Sequence, residues 1–454
     1  VKRILVLFPK EWDKAEFAGE GYRDFEFVYA GFDLFSFPDN AQLLTFDARR
    51  FIDRLVARFR HEHIDGVFSN NEYFGALIAA VLAQRLGLPG TPPAALMTAQ
   101  HKYYSRLAQQ KVAPEAVPPF AVFPYHRVDP QEIGLPFPYF VKPVRATFSV
   151  LARRVDNAAE LQRHMRFSML ETFLIKRLVR PFNDLAADYT GFELNAHHMI
   201  AEAPLSGVLL NLDGYAHRGR VSFLGMVDAL LFPGTDAFMR FAYPSRVPEQ
   251  ERARMYALAA RVIGGLGLDH GFFNVEMFWR PDTGELKVLE VNPRLASQLA
   301  GLYRRVEGIN PHRMLLDLCT GTEPSMAAQP TGMRCAASFV FRKFDGLPLR
   351  AEPGPAAIGA VRARHPDADL MCYFKRGSAL AREMKWLGSY RYALLNMAAP
   401  DEEQLLRGYR EVCGLLGFDE ARDAQQPVAP AAMAVASLPL QAAGFTMPSF
   451  SKRR

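Results

Sequence analysis

The sequence predicts a mixed α/β and α+β chain of several domains, and three observations carry that expectation. Strand-like and helix-like segments alternate over residues 1–92, as in a doubly wound parallel layer. A Gly-Leu-Pro-Gly-Thr-Pro-Pro run at 87–93 then interrupts the chain. Beyond it, antiparallel patterning culminates in two strand-like segments, Phe272–Trp279 and Leu286–Arg294, joined by Arg-Pro-Asp-Thr-Gly. A length of 454 residues suits roughly two to four such domains.

In chain order, Ile4–Phe8 reads as a buried parallel strand and Phe25–Tyr29 as a second. Asp47–Glu62 has helical spacing, with Phe51, Leu55, Val56 and Phe59 on one face. Gly66–Ser69 is a short strand running into Asn70-Asn71-Glu72, where a helix N-cap or a substrate contact is expected. Gly75–Leu86 is an apolar helix stopped by Gly87 and Pro89. One helix is expected over 94–112, a strand over 137–143 and a helix over 158–165, whereas 166–197 has no clear period. Residues 198–231 alternate as antiparallel strands, with turns expected at Asp213-Gly214 and at His217-Arg218-Gly219. Glu249–Leu266 and residues 310–320 are helical, and residues 333–424 form an α+β unit ending in the helix Asp401–Leu416. From 424 to 451 the chain carries no charge and is dominated by alanine and proline, so disorder is expected there.

Composition excludes several classes. Lys and Arg number 54 against 48 Asp and Glu, a net charge of +6 with no basic block to follow a phosphate backbone, so nucleic acid is not the expected partner. No run of about 20 apolar residues exists, so no membrane span is expected. The apolar stretch at residues 4–8 is too short for a signal peptide. Four cysteines, at 319, 335, 372 and 413, contain no C-x-x-C pair, which argues against zinc and for free thiols in a reducing, cytoplasmic setting. The pairs His61/His63 and His197/His198 lack a third ligand at sensible spacing and read as structural.

The chemistry concentrates in the hairpin. Strand alternation puts Asn274, Glu276 and Phe278 on one face, and Val288, Glu290 and Asn292 on the facing one. Glu276 and Glu290 then oppose each other at about 5 Å, and like charges so placed repel. A cation between them relieves that repulsion, and an all-oxygen set favours a hard ion, Mg²⁺ or Mn²⁺, shared with substrate phosphates. Arg294 adds a fixed positive fork beside the pair, suited to an oxyanion or a phosphoryl group.

Glu276, a turn, then Leu-Glu-Val-Asn-Pro-Arg at 289–294 resembles the metal hairpin of the ATP-grasp superfamily, the carboxylate–amine ligases (L-amino-acid ligases among them) being most similar. The resemblance covers about residues 1–424. It implies a doubly wound N-terminal domain (1–92), a two-lobed nucleotide-binding and catalytic domain (93–324), a C-terminal α+β unit (325–424) and a tail (425–454). It also implies ATP and Mg²⁺ or Mn²⁺, small carboxylic acid and amine substrates, ADP-forming ligation through an acyl phosphate, and often a homodimer. Residue by residue, it implies that Lys102 and Lys142 contact the nucleotide, with Glu202, Ala203, Leu205 and Leu289 around its adenosine. Glu276, Glu290 and Asn292 become metal ligands, and Arg294 stabilises the acyl phosphate and the tetrahedral intermediate. Arg304 and Arg305 are further candidates for a substrate carboxylate. The chain departs from the pattern at three places: the loop after Lys142 has no glycine, Leu209 replaces a glutamate, and His101 replaces an aspartate. Biotin-type carboxylation, acid–thiol ligation and a nucleotide-binding regulatory module remain as alternatives.

Overall fold

The computed structural model describes residues 1–33, 39–126, 128–146, 151–349 and 351–418. The expected tail and the stretch 147–150 of the glycine-free loop lie outside the described residues. The chain opens with strand β1 (Lys2–Leu7), helix α1 (Glu11–Phe17), β2 (Phe25–Ala30), α2 (Ala48–Phe59), β3 (Gly66–Phe68) and α3 (Gly75–Leu86). The strands form a parallel sheet in the order β2-β1-β3, the doubly wound layer that alternation predicts.

Helices α4 (Pro93–Gln100) and α5 (Lys102–Val112) follow, where the sequence predicts one helix over 94–112. The break falls at His101, which is extended (φ −97°, ψ 101°) and fully buried. Its cause is tertiary: the Lys102 N–H donates to the carbonyl of Val144 (2.8 Å) instead of to a carbonyl one helical turn earlier. Next come β4 (Phe120–Pro124), β5 (Tyr139–Pro143), β6 (Arg153–Val155), α6 (Ala158–His164), α7 (Met169–Tyr189) and β7 (His198–Glu202). These strands make a small antiparallel sheet, β4-β7-β5-β6. Helix α7 fills the stretch where no period was legible. A Ser168/Glu171 capping box starts it, but exposed Met169 and Phe173 and the internal Pro181 blur its amphipathic pattern.

The large sheet begins with β8 (Val208–His217), β9 (Arg220–Leu231) and β10 (Phe238–Tyr243). The turn expected at Asp213-Gly214 is absent; β8 runs straight through it. Gly214 instead sits at a bulge opposite β9, where a Cβ would lie 2.3 Å from the Ser222 carbonyl. The other expected turn, at 217–219, joins β8 to β9. Helix α8 (Glu249–Leu266) leads into the hairpin β11 (Gly271–Arg280) and β12 (Glu285–Asn292), then α9 (Ser297–Glu307) and α10 (Pro311–Cys319). The remaining elements are β13 (Cys335–Lys343), α11 (Pro355–Arg364), β14 (Asp369–Cys372), α12 (Gly377–Leu387), β15 (Tyr390–Ala399) and α13 (Glu402–Leu416). Strands β13–β15 extend the large sheet, whose order is β12-β11-β8-β9-β10-β13-β15-β14, so the C-terminal segment continues the layer that carries the hairpin.

Both faces of the N-terminal sheet are covered. Leu5, Leu7 and Val67 pack with α2, α3 and α7 residues such as Ile52, Leu77 and Phe182. Ile4, Val6 and Phe68 pack against Leu302 and Leu316 of α9 and α10 and against the large sheet. The carboxyl ends of β1 and β3 thus come to border the hairpin. Among the described residues no helix is long and apolar enough to cross a membrane.

Candidate functional site

The hairpin pairs Glu276 with Glu290 and Asn274 with Asn292, the register that alternation predicts. It departs from simple alternation one residue later. A bulge at Leu289 makes Met277 the partner of Val288, and both are fully buried in the core under the sheet. Val288 therefore does not share a face with Glu290, contrary to the sequence reading. The bulge frees the carbonyls of Val288 and Leu289 from the ladder, and both accept from the Arg106 guanidinium (2.8 and 2.9 Å).

The two glutamates are held in opposite electrostatic states. Burial first, then the Glu290 charge, pushes the Glu276 carboxyl up to about 7, with Arg294 and an Asn292 hydrogen bond pulling it back. Glu290 stays below the usual carboxylate range despite its burial, because Lys102 and Lys142 stand beside it; the Lys102 Nζ lies 2.7 Å from its Oε1. An ammonium thus already neutralises the face on which a hard cation is expected. Among the described residues no group of three or more His, Cys, Asp or Glu side chains has metal-binding geometry. A cation here would accordingly draw on the two carboxylates, the Asn292 amide oxygen and oxygens brought by a ligand, a donor set that fits Mg²⁺.

A buried hydrogen-bond chain fixes the hairpin from behind. The Asn292 Nδ2 donates to Glu276 Oε1 and to Asn274 Oδ1, each at 3.2 Å. Asn274 Nδ2 donates to Asp213 Oδ1 (3.0 Å), and the Tyr303 hydroxyl of α9 donates to Asp213 Oδ2 (2.5 Å). Burial lifts the Asp213 carboxyl to about 6, against the pull of those two donors. The sequence expectation of a turn at Asp213-Gly214 hides this chain, because Asp213 lies within β8 and faces the hairpin. The alternation of Asn211 and Asp213 opposite Glu276 and Asn274 was the available signal.

Across from the hairpin, the small sheet supplies Lys142 and Glu202. Glu202, expected to face a nucleotide, is 3% exposed and bridges the Arg106 Nε and the Lys142 Nζ, each at 2.6 Å. Its burial would raise its carboxyl, but the two cations win and bring it down to about 2. Burial also lowers the Lys142 ammonium, with Glu202 pulling it back. The Ala203 N–H is already spent on the Pro119 carbonyl (2.9 Å), and half-buried Ala203, Leu205 and Leu289 lie at the rim. Gly207 ends this segment at φ +124°, where a Cβ would come within 2.3 Å of the Trp279 carbonyl. Gly207→Ala is expected to cost about 2–3 kcal/mol and to raise the KM for a bound nucleotide, as urea unfolding and initial rates would register.

Arg294 leaves β12 after Pro293, which cannot continue the ladder, and points at the N-terminal layer. Its Nε and a terminal nitrogen lie 3.0 and 2.8 Å from Glu72 Oε2. Glu72 caps no helix: α3 starts from Phe74 without a side-chain cap, and Asn71 Oδ1 accepts from the Tyr73 N–H. Arg304 and Arg305 are already engaged, by Glu16 (2.7 Å) and Asp369 (2.7 Å).

Chains of known structure share this fold. An L-amino acid ligase from Bacillus licheniformis superposes over 92% of this chain and 98% of its own, with a TM-score of 0.66 at 17% identity. The chain has the fold of the ATP-grasp ligases. Among curated proteins, carnosine synthase 1 of Gallus gallus is 28% identical over 377 residues, covering 78% of this chain and 36% of its own length. Carnosine synthase 1 of Homo sapiens is 26% identical over 310 residues, 62% of this chain and 35% of its own. The chain thus spans about a third of the length of the curated relatives it matches. No family model matches it.

Within this cleft, two side chains escaped the sequence reading, Arg106 and Arg145, while Glu72, expected as an N-cap or a substrate contact, pairs with Arg294 instead. Arg145 belongs to the glycine-free loop. Its guanidinium sits 5.5 Å from the ring centres of both Tyr73 and Phe182 and donates to the Glu72 carbonyl (3.0 Å). The first half of that loop is thereby anchored to the N-terminal layer by a stacked arginine.

Proposed function

We propose that the chain is an ATP-dependent carboxylate–amine ligase that forms an acyl phosphate, releases ADP and joins the acyl group to an amine. The observation that carries this reading is the in-register Glu276/Glu290 pair with Asn292 beside it, facing Lys102 and Lys142 across the cleft. Relatives named for making carnosine and for ligating L-amino acids support the same class. The site roles, the four-part division at 92, 324 and 424, and a cytoplasmic setting belong to the same proposal. For the last, the four cysteines are free.

Mg²⁺ on Glu276, Glu290 and Asn292 would supply charge neutralisation for the β- and γ-phosphates. The chain's own residues do the rest. Lys142, positioned by its ion pair with Glu202, and Lys102, released from Glu290, bind phosphate oxygens. A carboxylate oxygen of the acid attacks the γ-phosphorus, the bond to the β-phosphate oxygen breaks, and ADP leaves. The amine nitrogen then attacks the acyl carbon, the C–O bond to phosphate breaks, and the nitrogen loses a proton to solvent. Arg294, oriented by Glu72, holds the oxyanion of the tetrahedral intermediate.

The test is Mg-ATP with pooled acids, pooled amines, or both, reading ADP, AMP and phosphate. ADP and phosphate that need both pools, and that vanish in Glu290→Ala, support the ligase. AMP in place of ADP would remove the acyl phosphate, and nucleotide binding without turnover would favour the regulatory module.

A further inference from the structure

At the bulged ends of β13 and β15, Arg342 and Arg391 stand directly opposite each other. Like charges in a cross-strand pair destabilise a sheet unless something sits between or beside them. Among the described residues neither makes an ion pair, although Arg294, Arg304 and Arg305 each pair with a carboxylate. Arg342 donates to the Ser389 hydroxyl (2.8 Å), and its Nε is buried with no acceptor. Arg391 lies over the Tyr373 ring, 4.9 Å from its centre. Phe341, Tyr390 and Tyr392 bury into the far face of the sheet, which leaves both arginines on the near face, toward α9 and the N-terminal layer.

The same space is reached from the other side by Lys10, at the carboxyl end of β1, and by Arg294. Burial, with Arg294 and Arg391 adding to it, brings the Lys10 ammonium down to about 8 against the pull of Asp13 and Asp33. Burial and then Arg391 lower Arg342 to about 10, with only Glu383 opposing. Glu383 itself is ion-paired to Lys375. Glu72 is taken by Arg294, and Asp13 accepts from the Lys10 N–H (2.9 Å) and from Asn70 (3.0 Å). Positive charge is therefore left over on the C-terminal wall, where Arg391 acts on Lys10 across the cleft.

We infer that Arg342 and Arg391 form an anion subsite for a substrate carboxylate other than the one activated by ATP. This rests on the ligase reading and names its substrate class: an amine that is an amino acid, or an acid that is a dicarboxylate. The planar forks suit a carboxylate, and Arg294, within reach of Lys10, links the subsite to the reacting centre.

ADP release distinguishes the two sources. Amino acids are compared with their carboxamides as amine pools, and ω-dicarboxylates with monocarboxylates as acid pools, for the wild type, Arg391→Met, Arg342→Met and Arg391→Lys. The expected result is preference for the anionic member of one pair. Arg391→Met and Arg342→Met then raise its KM about 10- to 100-fold, leave the KM for ATP unchanged, and Arg391→Lys restores part of the loss. Equal use of charged and neutral members, or parallel loss of ATP binding, overturns the subsite. If the wild type releases ADP with no pool, the ligase reading is what fails, and sulfate is the probe. Thermal stabilisation by sulfate that both methionine variants lose supports an anion subsite, and an unchanged shift overturns it.

Discussion

Glu276→Gln is expected to abolish ADP release while making the chain more stable. Turnover should fall on the order of a thousandfold, because the amide removes one of two anionic oxygens from the pair that neutralises phosphate charge. Stability should move the other way. The Glu276 carboxyl stands at about 7, against 4.5 for a free glutamate, so the folded chain prefers it protonated. Its contribution is favourable below about pH 4.5 and is lost as pH rises through 7. Above that, the ionised, repelled carboxylate weakens the fold by up to about 3 kcal/mol. Glutamine preserves an acceptor for Asn292 and carries no charge. Urea unfolding with chelator present should therefore find Glu276→Gln close to the wild type at about pH 4 and more stable at pH 8. A variant less stable at pH 8 would mean that the pair is not in repulsion, and the argument for a cation between the glutamates would go with it.

That opposition between stability and activity explains what could be read from the sequence. In the N-terminal layer the strands, α2 and α3 were legible because they obey their own periods, whereas α1, seven residues long, is too short to show one; α3 and, further on, α8 match the expected bounds residue for residue. Glu276, Glu290 and Asn292 were legible because two like charges at strand spacing contradict the sheet that holds them. What was hidden depends on contacts distant in sequence. The α4/α5 break needs the Val144 carbonyl, and the Leu289 bulge needs Arg106, 183 residues away. The Glu72–Arg294 pair spans 222 residues. Gly214 misled because a glycine that serves a bulge looks, in sequence, like one that serves a turn.

Arg106→Met is expected to cost about 3–5 kcal/mol and to weaken nucleotide binding together with it. The side chain is 2% exposed, and four of its five donors are distributed over three elements. It meets Glu202 of β7, Gln109 of α5, and the bulged carbonyls of β12. Methionine fills the volume but leaves one buried carboxylate with a single cation and two buried carbonyls with no donor, and these under-satisfied groups, more than the lost pair, make the change costly. Lysine is no substitute, since one ammonium cannot span the distance that the guanidinium fork covers. The acid limb separates this cause from simple loss of packing. Glu202, brought down to about 2, contributes stability that is present above about pH 4.5 and lost as pH falls toward 2. Without Arg106 only Lys142 opposes its burial, so its carboxyl rises and acid unfolding should begin at higher pH than in the wild type. The double variant Arg106→Met/Glu202→Gln removes the stranded charge and should recover much of the loss while leaving Lys142 without its partner. Recovered stability without recovered nucleotide affinity would assign Glu202 to holding Lys142 rather than to touching the nucleotide. Recovery of neither would place the damage in the β12 carbonyls, and thus in the bulge that sets the Glu276/Glu290 register.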